Sequence, residues 1–250
     1  MRRDELVSWL DAYLEISAFP DSSQNGLQFE GQAEVKKIGA AVDAGIQVFE
    51  SALAQGVDFL LVHHGLLWGQ PFRFTGHRQR RLALLARGEL NLYAAHLPLD
   101  VHPEVGNAAL LAGGLGLRNL VPFGSFDGVN VGWAGELVRP ESLGHFAERV
   151  ARFTNTDCLV HANGVPEIQR VGIVTGSGGA AMGEAQDLGL DLLLTGEPKQ
   201  AYFHESLDRE FNVIYAGHYN TEVFGVRALA QKLAATFGLE SVFLDFPTGL

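Results

Sequence analysis

The chain has 250 residues, enough for one large domain or two small ones, and 47% of them are hydrophobic, which is ample for a core. Its 18 lysines and arginines face 29 aspartates and glutamates; the net charge of -11 argues against a broad basic face and against nucleic acid as a partner. Cys158 is the only cysteine, so no internal disulfide forms and a reducing compartment is expected. No apolar run reaches the ~18 residues of a membrane span, and Met1 to Leu14 lacks the apolar centre of a signal peptide. A cytoplasmic protein away from membranes is expected.

Leu6, Leu10 and Leu14 recur at helical spacing and predict a helix over 4–16. Pro20-Asp21-Ser22-Ser23 breaks the chain, and Asn25-Gly26-Leu27-Gln28 turns into a short strand. Strands are predicted over 35–43, 58–62 and 90–95, with helices over 45–55, 77–87 and 104–115 between and after them. The strand at 58–62 runs into His63-His64-Gly65, and the strand at 90–95 into His96-Leu97-Pro98-Leu99-Asp100. The second half, from about Val129, offers strands over 129–138, 158–161, 170–175, 191–194, 212–216 and 241–246. Helices are expected over 142–153 and 180–188, after Pro198, and over 223–237. Strands alternating with helices define an α/β fold with mixed, mostly parallel sheets.

The two halves resemble each other. A shift of 133 residues puts Gly39 on Gly172, Gly45 on Gly178, Asp58 on Asp191 and Leu61 on Leu194. A shift of 122 further on puts Tyr93 on Tyr215, His96 on His218, Asp100 on Glu222 and Gly116 on Gly238. Shared composition accounts for matching glycines and leucines, but not for His-x-x-x-acid at the same strand end twice. A duplicated chain is therefore expected, with repeats at 1–125 and 126–250 and a cleft between them.

Ligands of open α/β sheets sit beyond the carboxyl ends of the strands. There the first half places His63, His64, His96 and Asp100, and the second half His218 and Glu222, with Glu197 at the position matching His64. Imidazole with carboxylate suits Zn, Mn, Fe, Co or Ni better than Ca or Mg. The loop Thr175-Gly176-Ser177-Gly178 lies between a strand and a helix, where backbone N–H groups can hold an anion; a simple tight turn is the plainer reading. His77, His102, His145 and His161 have no such companions and read as surface or packing residues.

Val62-His63-His64-Gly65, Asn25-Gly26-Leu27-Gln28, His96 to Asp100, Thr175 to Gly178, Thr195-Gly196-Glu197 and Gly217-His218-Tyr219-Asn220-Thr221-Glu222 together resemble the dinuclear-metal-centre proteins of the YbgI type, also called GTP cyclohydrolase 1 type 2 homologues. The resemblance covers nearly the whole chain in order. It implies two intertwined α/β repeats, a ring-shaped homohexamer and two divalent transition-metal ions per chain. By position it implies that His64, Asp100 and Glu222 hold one ion and His63, His218 and Glu222 the other, Glu222 bridging. His96 is not a usual ligand in the family and is placed near the site. Relatives often carry histidines soon after Thr-Gly-Glu; this chain has Pro198-Lys199-Gln200-Ala201-Tyr202-Phe203-His204 instead.

Three protein ligands per ion leave open positions, as catalytic sites need. The leading reading is a metal-dependent hydrolase acting on a nucleotide or another phosphorylated small molecule. A metal-handling protein and a ring-shaped scaffold for protein or nucleic acid are the alternatives. Trp68, Phe72 and Phe74 follow the histidines in a stretch the second half lacks, and read as a subunit contact or a lid.

Overall fold

A computed structural model describes all 250 residues. The chain divides into two compact units, Met1–Leu99 with Gly225–Phe246, and Asp100–Phe224 with Pro247–Leu250. No helix is long and apolar enough to cross a membrane.

The first unit opens with α1 (Arg3–Tyr13), whose Leu6 and Leu10 are buried and whose Asp4 and Glu5 favour the positive end of the helix dipole. β1 (Gly26–Phe29), β2 (Lys37–Asp43), α2 (Ile46–Ala54), β3 (Phe59–His64), α3 (His77–Gly88) and β4 (Asn91–Ala94) follow. β2, β3 and β4 are parallel neighbours, and β1 runs antiparallel on the outer side of β4. Leu60, Val62, Leu92 and Ala94 face Val48, Phe49 and Ala52 of α2 in one apolar core.

After the short α4 (Leu97–Val101), the second unit contains α5 (Asn107–Gly114), β5 (Arg118–Phe126), β6 (Val129–Ser142), α6 (Leu143–Thr154), β7 (Leu159–His161), β8 (Glu167–Ile173), α7 (Met182–Asp187), β9 (Leu192–Thr195), α8 (Ala201–Asp208) and β10 (Asn212–Tyr215). Its six strands lie in the order β5-β6-β8-β9-β10-β7. β8, β9 and β10 are mutually parallel, while β5, β6 and β7 join by antiparallel pairs, so this sheet is mixed. The last elements are α9 (His218–Phe237) and β11 (Glu240–Phe243).

β11 does not extend the second sheet. It pairs in parallel with β2, Glu240 opposite Lys37, and completes the first. Ser125 and Phe126, on either side of the expected 125/126 boundary, are the last two residues of β5, just before the hairpin to β6. Asp127 and Gly128 turn there with φ of 47° and 84°, the left-handed pair that favours Asp-Gly in a two-residue hairpin. β5 itself has no counterpart in the sequence reading. Most of its residues are exposed and it contains Pro122, so it lacks apolar alternation, and an edge strand tolerates that.

The repeat is visible in the ladders. Ile38 stands opposite Phe59 as Val171 stands opposite Leu192, so the shift of 133 holds. The shift of 122 does not. Asn91 stands opposite Phe59 and Asn212 opposite Leu192, a difference of 121. The side chains agree. Asn91 accepts from Gly31 N and donates to Gln32 O and Asp58 O. Asn212 accepts from Gly164 N and donates to Val165 O and Asp191 O. His96 is therefore equivalent to Gly217, not to His218, and Asp100 to Thr221, not to Glu222. The matching Tyr-Ala pairs drew the sequence comparison one residue too far.

Candidate metal centre

The expected ligands divide between the two units, and each unit gathers its own. In the first, β3 carries the pair. His63 is fully buried, and its Nδ1 lies 2.9 Å from Ala95 O. His64 stands opposite Asp43 in the β2–β3 ladder, and its Nδ1 lies 2.9 Å from Asp43 Oδ1. Strand alternation alone would separate the two rings, yet at the strand's end their centroids are 4.7 Å apart.

His96 joins them, 5.0 Å from His63 and 5.7 Å from His64 between ring centroids. It is held by the loop that follows α1. Asn25 Oδ1 accepts from His96 N at 2.8 Å, and Asp21 Oδ1 lies 2.9 Å from His96 Nδ1. Burial alone would push the Asp21 carboxyl up; hydrogen bonds from His96, Asn25 and Ser23, with the His96 charge, outweigh it and hold it at about 2. One ring nitrogen from each of the three histidines lies within 4.8 Å of the others. Since every Nδ1 is engaged, Nε2 is the nitrogen each ring has to offer. The Trp68 ring lies 4.9 Å from His96 and 5.9 Å from His64, with its Nε1 tied to Gly65 O.

In the second unit the ligand-bearing segment is helical. α9 begins at His218, five residues earlier than expected, because Gly217, at φ 80°, turns the chain and its carbonyl accepts from Thr221 N. His218 and Glu222 are thus four apart on the first turn and share a face. His218 Nε2 lies 3.2 Å from Glu222 Oε1, and its Nδ1 2.6 Å from Glu197 Oε2. Burial alone would lower the His218 imidazole; Glu222 and Glu197 outweigh it and raise it to about 9.

Asp100 and Glu222 are both buried, and carboxylate oxygens of the two lie within 4.8 Å of each other. Asp100 Oδ1 accepts from Asn107 Nδ2 and Thr175 Oγ1, each at 2.9 Å. The glycine loop serves these groups. Gly176 has φ of 59°, and a Cβ there would collide with Glu222 Oε1. Two of the N–H groups expected to face an anion are spent internally: Gly176 donates to Thr221 Oγ1 and Gly178 to Thr195 Oγ1. Ser177 Oγ donates to Glu197.

Asp21 and Asp43 went unnoticed in the sequence because each is an isolated acid far along the chain from the histidine it orients. His204 is exposed on α8, and His145 is an exposed partner of Glu141. The three imidazoles of one unit are donors that suit divalent transition metals, and so, in the other, are an imidazole and buried carboxylates. Two buried carboxylates this close repel unless a proton or a cation relieves them.

Residues 1–248 match the model of the Duf34/NIF3 family, NGG1p interacting factor 3, and the chain belongs to that family. It is 52% identical over 248 residues to the GTP cyclohydrolase 1 type 2 homolog of Deinococcus radiodurans, covering 99% of this chain and 94% of that protein. The homologue of the same description in Pyrococcus abyssi is 45% identical, with both chains fully covered. Among solved structures, protein ybgI, described as of unknown function, superposes with a TM-score of 0.94 at 32% identity, and both chains are fully covered.

Proposed function

We propose that the chain binds two divalent transition-metal ions and hydrolyses a phosphorylated small molecule, a nucleotide being the first class to test. The buried carboxylates of Asp100 and Glu222, brought within 4.8 Å, carry the reading. His64, Asp100 and Glu222 would hold one ion and His63, His218 and Glu222 the other, as the resemblance to the YbgI type implies. Bound there, the ions supply Lewis acidity and lower the pKa of a water. The rest is the work of this chain's own groups. Asp43, Asp21 and the Ala95 carbonyl hold three imidazoles by Nδ1, and Glu197 holds His218 in the same way. Such partners fix ring orientation and raise ligand basicity. Asn107 and Thr175 hold Asp100 by its Oδ1. His96 stands beside the ligands, pinned between Asp21 and Trp68, as a group that meets substrate. A homohexamer is part of the same proposal.

The test is a screen of metal-loaded protein against nucleotides and phosphoesters, with an Asp100→Ala, Glu222→Ala double variant beside it. Turnover lost together with metal content supports the reading. Turnover of nothing, with transfer of metal to an apo-acceptor, would replace it with a metal-handling role.

A further inference from the structure

We propose that the loop at residues 72–76 and helix α3 after it, to Arg87, form a docking surface for single-stranded nucleic acid. Between Gly69 and Gly88 stand Arg73, Arg78, Arg80, Arg81 and Arg87, without one aspartate or glutamate. In a chain of net charge -11 this is a local cationic face. The composition excludes a broad basic surface and leaves room for a narrow one.

The chain does not neutralise these arginines. Arg3, Arg149 and Arg209 each pair with a carboxylate of their own unit, whereas none of the five enters such a pair. Four of them are exposed; Arg81 is half-buried, and its Nε finds no acceptor in the chain. Arg80 and Arg87 are seven residues apart on α3, hence on one face, and Arg78 to Arg87 spans about 14 Å of helix. That length exceeds one phosphate group and suits a polymer of them.

Aromatic rings are interleaved with the charges. Phe74 is 49% exposed, its ring 5.3 Å from Phe72 in an edge-to-face pair, and the Arg78 guanidinium lies 4.2 Å over Phe72. Trp68, grouped with these phenylalanines in the sequence, packs against the histidines instead. Arginines beside exposed aromatic faces bind unstacked bases and their backbone together. An acidic peptide would use the arginines and leave the rings idle, and a duplex hides its base faces.

The experiment is fluorescence anisotropy of a fluorescein-labelled 12-nucleotide single strand, titrated with the full chain between about 50 and 300 mM salt. Binding should weaken with a log–log salt slope of about -2 to -3, roughly -0.7 per phosphate neutralised. Arg78→Glu, Arg80→Glu should weaken it at least about tenfold and flatten the slope. Phe74→Ala should weaken it about fivefold or more with the slope unchanged, since stacking releases no counterions. Arg152→Glu, at an exposed position on α6 of the other unit, should change neither. Equal binding of a duplex of the same length, or competition by polyglutamate as strong as by the single strand, overturns the proposal. So does a fall in mass by light scattering in the Arg78→Glu, Arg80→Glu variant, which would make this face a contact between copies.

Discussion

Asp58 and Asp191 perform one task in two sheets. Asp58 Oδ2 accepts from the backbone N–H groups of Lys36 and Lys37, and Asp191 Oδ2 from those of Gln169 and Arg170. Each carboxylate thereby fixes the start of a parallel strand against the strand beside it. Hydrogen bonds to a charged group are each worth about 1.5–3 kcal/mol. Asp58→Ala and Asp191→Ala should each lower stability by about 2–3 kcal/mol, read by urea denaturation. A loss under about 0.5 kcal/mol in either would mean that the shared geometry is not a shared support.

Gly176→Ala should disturb the candidate centre without removing a single ligand. The added Cβ would meet Glu222 Oε1, and φ of 59° is strained for alanine. Metal content by elemental analysis should drop well below that of the parent, with a stability loss of about 1–3 kcal/mol. Full metal occupancy would show that Glu222 can move aside and still bind.

His96→Ala should weaken metal binding less than His218→Ala. Loss of His218 removes a proposed ligand that Glu197 and Glu222 hold in place. Loss of His96 removes a neighbour of the ligands. Equal losses by calorimetric titration would make His96 a ligand.

Much of this was legible in the sequence. The strand ends named His63, His64 and His96 because apolar runs stop there, and the alternation of elements named the fold class. What misled was local: Gly217-His218-Tyr219-Asn220 has poor helix propensity, so the first turn of α9 read as loop. The one-residue slip between repeats arose because Tyr93 and Tyr215 coincide in sequence but occupy different rungs, opposite Leu61 and Thr195. Asp21 was invisible for another reason. Its partnership with His96 spans 75 residues, and no local pattern records such a distance.

Asp21 also sets an acid dependence. Its carboxyl is held at about 2 in the folded chain against 3.8 when free. The folded form therefore gives up this proton more readily, so the stabilisation is complete above about pH 4 and is lost as pH falls toward 2. A shift of this size corresponds to about 2 kcal/mol. The melting temperatures of the parent and Asp21→Asn should be well separated at pH 6 and converge near pH 2. A separation constant across that range would show that the Asp21 charge contributes nothing.

The pairing of β11 with β2 gives the fold a temporal order. Strand β2 leaves the ribosome about 200 residues before the strand that covers its outer edge. Throughout that interval Lys37 to Ala40 present bare amides and carbonyls, the kind of edge on which chains add to one another. The first sheet is therefore sealed only after every element from α2 to α9 has been made. Gene fragments ending before Glu240 should yield aggregates rather than a working half, and a circular permutant that places β11 ahead of β2 should be the more forgiving chain to produce.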